Sequence, residues 1–231
     1  ILPVKEFPYA ELNIPLIKAQ AGFFNIFPDD DGVYRKINLL VLYNGELYPH
    51  LSLKTLEKFK NSPLIVGITN YGIKGLWVGN ELIPVDESGR LTINYYGKGG
   101  SFQTVSAVDI INGNLKLSSD NIVFIGATEM GISDIRNTPF DPVMPGVEIS
   151  ATVLSNILKQ QYLIHNAWVT LLDIAFIAIP VLLLCLFLTK ASKTLISLFI
   201  FSGITFLTYL SNFFIFKAYF LDLSIIYPFI S

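Results

Sequence analysis

The 231-residue chain is 52% hydrophobic and only 15% charged, with a net charge of -2. No Lys/Arg cluster supplies the electrostatic footprint that phosphate binding needs, so nucleic acid is not an expected partner, and the single Cys185 allows neither an internal disulfide nor a thiolate zinc site. The charges are uneven: residues 1–166 hold 13 Lys/Arg and 16 Asp/Glu, whereas 167–231 hold only Asp173, Lys190, Lys193, Lys217 and Asp222. This contrast predicts a water-soluble domain over 1–166 followed by membrane segments over 167–231.

In chain order, "AGFFNIF" and "YRKINLLVLYN" read as strands on either side of "DDDG", because aromatic and β-branched residues crowd both flanks of an Asp/Gly break. "HLSLKTLEKFK" then places Leu51, Leu53, Leu56 and Phe59 on an approximate helical stripe. The runs "LIVGI", "GLWVG", "ELIPV" and "RLTINYY" are short strands closed by Gly, Pro, Asn or Asp. "VSAVDIING" predicts a short helix with Ser106 near its start and Gly113 at its stop. "NIVFIGA" is an unbroken apolar run of the kind buried on both faces of a sheet. "PGVEISATVLSNILKQQYLI" reads as a helix with Pro145 at its entrance and Val147, Ala151, Leu154, Ile157 and Leu158 on one face, leading almost directly into the first apolar run. The expected fold is a mixed α/β domain followed by an all-α membrane portion.

That portion opens with "AWVTLLDIAFIAIPVLLLCLFL" (167–188), whose 22 residues would span about 33 Å as a helix, enough for a bilayer core of about 30 Å. A second run covers 195–216 and a third begins at Tyr219 and reaches only Ser231, so two full spans and one truncated span are expected. The link between the first two carries Lys190 and Lys193, against Lys217 alone in the next. The positive-inside tendency puts the first link in the cytoplasm and the domain of residues 1–166 outside it. Asp173 lies little more than one turn into the first span, where an interfacial carboxylate reaching outward is the better reading than a proton site. Pro180 would bend the same helix. The opening "ILPVKEFPYAELN" has no basic stretch before an apolar core, so further sequence upstream is expected.

Little here resembles catalytic machinery. Asp29, Asp31 and Gly32 contain the D-x-D-G fragment of calcium loops, but the acid required twelve positions from Asp29 is Leu40, and a turn is the expected role. "FIGATEMGISD" puts a glycine-containing loop after an apolar run, a place where backbone N–H groups can receive an anion, without a G-x-G-x-x-G or a Walker lysine. "NTPFDPVMPGVEI" brings Asp141 and Glu148 beside Thr138 as a possible polar rim, with Glu148 also placed to favour a helix start through its dipole. His50 and His165 fall in no nucleophile or metalloprotease motif and read as capping or interfacial residues.

The ordered set "FPDDDGVYRKINLL", "LYPHLSLKTL", "LIPVDESGRLTINYYG", "SFQTVSAVDIINGN", "NIVFIGATEMGISDIRNTPF" and "MPGVEISATVLSNIL", followed by three apolar runs, resembles the second type of CHASE domain. That family is an extracellular sensory domain of bacterial transmembrane receptors, and the resemblance extends from about residue 21 to the C-terminus. It implies an N-terminal anchor and roughly the first half of the sensor upstream. It also implies three membrane helices after the sensor and a cytoplasmic adenylate or guanylate cyclase, histidine kinase or serine/threonine kinase beyond them. Asp29, Asp31, Gly32 and Arg35 match the family's D-x-D-G-V-x-R-like element. The ligand-contacting candidates are Asp29, Asp31, Arg35, Asn94, Thr128 and Asp134; Leu154, Leu158, Trp168 and Pro180 are the candidates for passing a signal onward. No catalytic residue, cofactor or metal is expected in this chain. The expected partners are membrane lipids, a second copy through the membrane helices, and a small-molecule or protein stimulus. The competing class is a polytopic transporter or membrane enzyme with an extracellular lid, which would favour paired polar groups near mid-bilayer and repeated halves, neither of which the sequence offers.

Overall fold

A computed structural model describes residues 2–3, 21–114, 121–128 and 134–163, together with isolated helical positions between 169 and 210. The chain divides into two units, Ile1–Tyr162 and Leu163–Ser231. The first unit is a mixed α/β assembly of small sheets and few helices. Its strands are β1 (Leu2–Pro3), β2 (Lys36–Asn38), β3 (Leu40–Tyr43), β4 (Glu46–Pro49), β5 (Leu64–Thr69), β6 (Gly72–Val78), β7 (Glu81–Ile83), β8 (Arg90–Thr92), β9 (Ile135–Arg136) and β10 (Met144–Pro145). Among the described residues its helices are α1 (Leu51–Lys60), α2 (Ala107–Ile111) and α3 (Gly146–Lys159).

Local chemistry accounts for most of these elements. Between β3 and β4 the Asn44–Gly45 pair takes positive φ at both positions (49° and 82°), the two-residue turn whose twist matches an antiparallel hairpin. Helix α1 starts at His50, whose Nδ1 accepts from the Ser52 N–H at 3.1 Å, and stops at Asn61 in the left-handed conformation. Its buried side is Ser52, Leu53 and Leu56; Phe59, expected on that stripe, is exposed in the last turn. The Ser52 hydroxyl donates to the Ser150 carbonyl of α3 at 2.8 Å, so a small polar side chain lets the two helices approach. Gly22 serves a similar end: a Cβ there would lie 2.9 Å from the Leu51 backbone.

The sheets are a β1–β3–β4 set, the β2–β8 and β9–β10 pairs, and a β5–β6–β7 antiparallel meander. One core joins them, with Ile37, Leu40, Leu53, Leu76, Leu91 and Ile149 all fully buried. Each such side chain contributes about 1.5–3 kcal/mol before entropy is counted.

Several expectations are corrected. Residues 121–128, "NIVFIGAT", form no strand: Ile122 and Phe124 pack on the core while Val123 and Ile125 face outward, the latter 90% exposed. The apolar run is thus one-sided rather than buried on both faces. "AGFFNIF" forms only a single parallel bridge from Phe23 to His50, so "DDDG" does not join two paired strands. In α3 the buried residues are Gly146, Ile149, Val153, Leu154 and Ile157 with Ser150, Thr152 and Asn156; Val147 and Ala151 are only half-buried, since the polar members of the stripe shift its phase. The helix also ends at Lys159, not near Ile164. Gln160 takes φ 54° and the N–H groups of Gln160 and Gln161 return to Ile157 and Asn156.

Among the described residues no helix is long and apolar enough to cross a membrane. The expected spans 167–188, 195–216 and 219–231 lie largely outside the described residues, as do Trp168, Asp173 and Pro180. The described positions within the first two are helical.

Candidate functional site

The aspartate turn is built around one arginine. Gly32, at φ 79°, closes a turn in which its N–H donates to the Asp29 carbonyl at 2.9 Å and the Asp29 N–H donates to the Val33 carbonyl at 3.0 Å. The turn aims Asp29 and Asp31 back at Arg35, which donates twice to Asp31, at 2.9 and 2.7 Å, and once to Asp29 at 3.1 Å. The Asp31 carboxyl is held at about 2 by the Arg35 guanidinium first and the Val33 N–H second, while the two carboxylates raise the Arg35 pKa. The fork is therefore filled by the chain's own carboxylates. The D-x-D-G fragment thus serves as a turn whose acids pair with arginine, and among the described residues no group of three or more His, Cys, Asp or Glu is arranged to hold a metal ion.

A second charged pair lies across Tyr34. The Tyr34 N–H donates to the Asn137 carbonyl at 2.8 Å, which draws the 134–137 segment alongside. The Arg136 guanidinium then sits over the Tyr34 ring, 5.4 Å from its centroid, and forms an ion pair with Asp134. Tyr95 donates to the Tyr34 carbonyl at 2.8 Å, and its hydroxyl pKa is raised by burial and by the Asp29 charge. Four of the six ligand candidates, Asp29, Asp31, Arg35 and Asp134, are thus gathered around Tyr34 and its neighbour. Arg136 belongs with them and went unnoticed in the sequence, where nothing marks it beyond its position two residues from Asp134.

Asn94 and Thr128 are placed differently. Asn94 is tied to α3: its N–H donates to Asn156 Oδ1 at 2.9 Å and its carbonyl accepts from Asn156 Nδ2 at 3.0 Å, while its own Nδ2 donates to the Gln161 carbonyl at 2.8 Å. Asn156 is completely buried, so the pair satisfies a strand end that would otherwise be orphaned. Thr128 is exposed at the end of the 121–128 segment.

The Thr138, Asp141 and Glu148 grouping is real, and its partner is a glycine loop. Thr138 and Asp141 bond each other through both side chain and backbone at 2.8–3.0 Å. The Gly99 N–H donates to Asp141 at 2.9 Å, and the N–H groups of Gly100 and Ser101 donate to Glu148 at 2.9–3.1 Å. The Val143 and Gly99 N–H groups lower the Asp141 pKa. Glu148, read as a helix-dipole residue, thus also fastens the 98–101 loop to the first turn of α3. His50 is a cap, as expected: fully buried, edge-on to Phe23 at 5.1 Å, with burial pushing its pKa down to about 3 so that it stays neutral.

Beyond α3, the chain is pinned by two bonds, one from the meander and one from Asn94, just past β8. Besides the Asn94 bond to Gln161, the Tyr162 hydroxyl donates to the Leu82 carbonyl of β7 at 2.9 Å. Of the coupling candidates, Leu154 is buried and Leu158 packs against the core from the last turn of α3.

The sequence profile of the CHASE2 domain matches residues 4–187. The chain belongs to the CHASE2 domain family. CHASE2 domains are extracellular sensor domains of receptor-type membrane proteins, so sensing is its general role. No curated protein and no solved structure matches the chain.

Proposed function

We propose that this CHASE2 chain is the sensory and membrane-signalling region of a bacterial receptor, with the Ile1–Tyr162 unit outside the cytoplasm and the apolar runs after it crossing the bilayer. The family match supports the sensor, and the hydropathy of 167–231 supports the membrane portion. Catalysis belongs to a cytoplasmic cyclase or kinase domain elsewhere in the receptor, and the stimulus is a small molecule or protein. A homodimer joined through the membrane helices would let one sensor's movement alter the other's output.

The observation that carries the signalling route is the pinned exit. The helix break at Gln160 rules out a single continuous rod from α3 into the first apolar run, but Gln161 is bonded to Asn94, just past β8, and Tyr162 to Leu82 of β7. Movement of β7 or of the Asn94 strand end would therefore be felt directly where the chain leaves the domain. Such a shift needs only a modest bias between two packings of the membrane helices.

The test is an insertion of about eight Gly/Ser residues between Tyr162 and His165 in the whole receptor, because a random-coil linker transmits almost no displacement or torque. Output that no longer responds to stimulus, with the protein still membrane-inserted, is expected. Normal stimulus-dependent output would show that the exit is a passive tether.

A further inference from the structure

The β5–β6–β7 meander turns one face to the core, through Leu76, Val78 and Ile83, and leaves the other outward. On the outward face Ile65, Trp77 and Leu82 stand in one cross-strand row, since Ile65 pairs with Trp77 and Trp77 with Leu82. Ile65 is 56% and Leu82 48% exposed, and Trp77 is half-buried. Gly67 and Gly75 occupy the next outward positions on their strands. A Cβ at Gly67 would come within 2.6 Å of the Trp77 ring, and one at Gly75 within 2.7 Å of Leu82 Cδ1. The indole therefore lies along the sheet over the two glycines, making a low apolar surface instead of a projecting side chain. A contiguous apolar row of this kind signals an interaction surface, unlike the scattered apolar residues of any protein exterior.

We propose that this face rests on the lipid bilayer, with Trp77, Ile65 and Leu82 entering the headgroup boundary beside the point where the chain enters the membrane. The proposal rests on the membrane reading given above. Its support is the exit route: Tyr162 donates to the carbonyl of Leu82 itself, and the five residues from Tyr162 to the start of the apolar run at Ala167 can span at most about 18 Å. The Leu82 end of the row thus lies within that reach, extended by one tyrosine side chain and its hydrogen bond, of the point where the chain enters the bilayer. The chemistry fits the boundary as well. Trp77 and Tyr162 each join an apolar ring to a polar tip, the combination enriched at membrane interfaces. The carboxylates of the flanking elements are neutralised, Glu81 by Lys60 at 2.7 Å and Glu57 by Lys54 at 2.9 Å, so they do not repel lipid phosphates.

The chain's two tryptophans make the test direct, because Trp168→Phe leaves Trp77 as the only indole. The full chain is assembled in phosphatidylcholine nanodiscs with or without bromine on the acyl chains. The expected result is loss of about half the Trp77 emission in brominated lipid, together with shielding from aqueous iodide, since an interfacial face sits about 5–10 Å into the headgroup and acyl boundary. Strong iodide quenching without bromine quenching, in chain that co-fractionates with the nanodiscs, overturns the docking while leaving the membrane reading intact. Shielding from both quenchers means that a second protein surface covers the row, and also overturns it. Chain that does not co-fractionate with lipid at all removes the membrane reading and the docking together. If Trp168→Phe does not assemble, a nitroxide at Ile65→Cys in a Cys185→Ser background reports the same depth through its accessibility to oxygen against an aqueous nickel chelate, with the same outcomes.

Discussion

Replacing Asn156 by Leu should be among the most damaging single changes in the sensor, although Asn156 touches no charged candidate. The side chain is fully buried, and both its polar atoms are used on the backbone of Asn94, one accepting at 2.9 Å and one donating at 3.0 Å. Leucine keeps the four side-chain heavy atoms and their branch point, though it is bulkier and adds an overpacking penalty, and it leaves the Asn94 N–H and carbonyl without partners. An unsatisfied buried group costs about 1–3 kcal/mol, and because Asn94 is half-buried the lower half of that range applies to each, about 2–4 kcal/mol for the two. For a unit of this size the loss lowers the melting temperature by about 4–16 °C, at about 2–4 °C per kcal/mol. Thermal unfolding of the detergent-solubilised chain, followed by circular dichroism, reads the shift. Ser155→Ala, one position away and breaking only the exposed Ser155–Tyr96 hydroxyl contact of 2.9 Å, is the control and should stay within about 0.5 kcal/mol. An Asn156→Leu protein as stable as that control would mean that the Asn94 pairing does not hold the strand end, and the reasoning about the pinned exit would lose its base.

The remaining predictions concern titration, metal and turnover. Because Arg35 depresses the Asp31 pKa from 3.8 to about 2, the stability Asp31 contributes is complete above pH 3.8 and fades as pH falls toward 2; Asp31→Asn should abolish that part of the pH dependence, read by melting temperature across the window. Burial likewise lowers His50 from 6.5 to about 3, so protons bind the unfolded chain preferentially, and stability should fall as pH drops from 6.5 toward 3 with a slope of up to about 1.4 kcal/mol per pH unit that His50→Asn removes. Micromolar calcium should leave the melting temperature unchanged in the parent; a rise that Asp29→Ala or Asp31→Ala eliminates would make the turn a cation site after all. The purified chain should show no cyclase, kinase or hydrolase turnover, and reproducible activity limited to these residues would refute the division of labour between sensor and output domain.

Local signals carried much of the fold. The short strands around Gly, Pro and Asn, the capped helix after His50 and the helix after Pro145 all follow from spacing and turn chemistry that a few neighbouring residues determine. Most of the misreadings depended on partners far along the chain; the end of α3 is the local exception. "NIVFIGA" has the composition of a doubly buried strand, but what decides its burial is whether another strand lies beside it, and Val123 and Ile125 have none among the described residues. The end of α3 at Lys159 carries no glycine, and Gln160 adopts the left-handed conformation without one. Glu148 could be placed near a helix start, but its grip on Gly100 and Ser101 spans 48 and 47 positions and no local pattern announces it. Asp29, Asp31 and Arg35 were singled out by the family resemblance, but their pairing with one another, and its extension to Asp134 and Arg136 through the backbone bond from Tyr34 to Asn137, come from the fold.

Cysteine labelling in intact cells tests whether a sensor outside the cytoplasm is joined to helices that cross the membrane. In a Cys185→Ser background, single cysteines are introduced at Lys58, exposed in the last turn of α1, and at Ala191, in the two-lysine link. A membrane-impermeant maleimide should modify Lys58→Cys in intact cells and reach Ala191→Cys only after permeabilisation. Labelling of Ala191→Cys but not Lys58→Cys in intact cells would contradict the orientation, and equal labelling of both would contradict the membrane crossing between them.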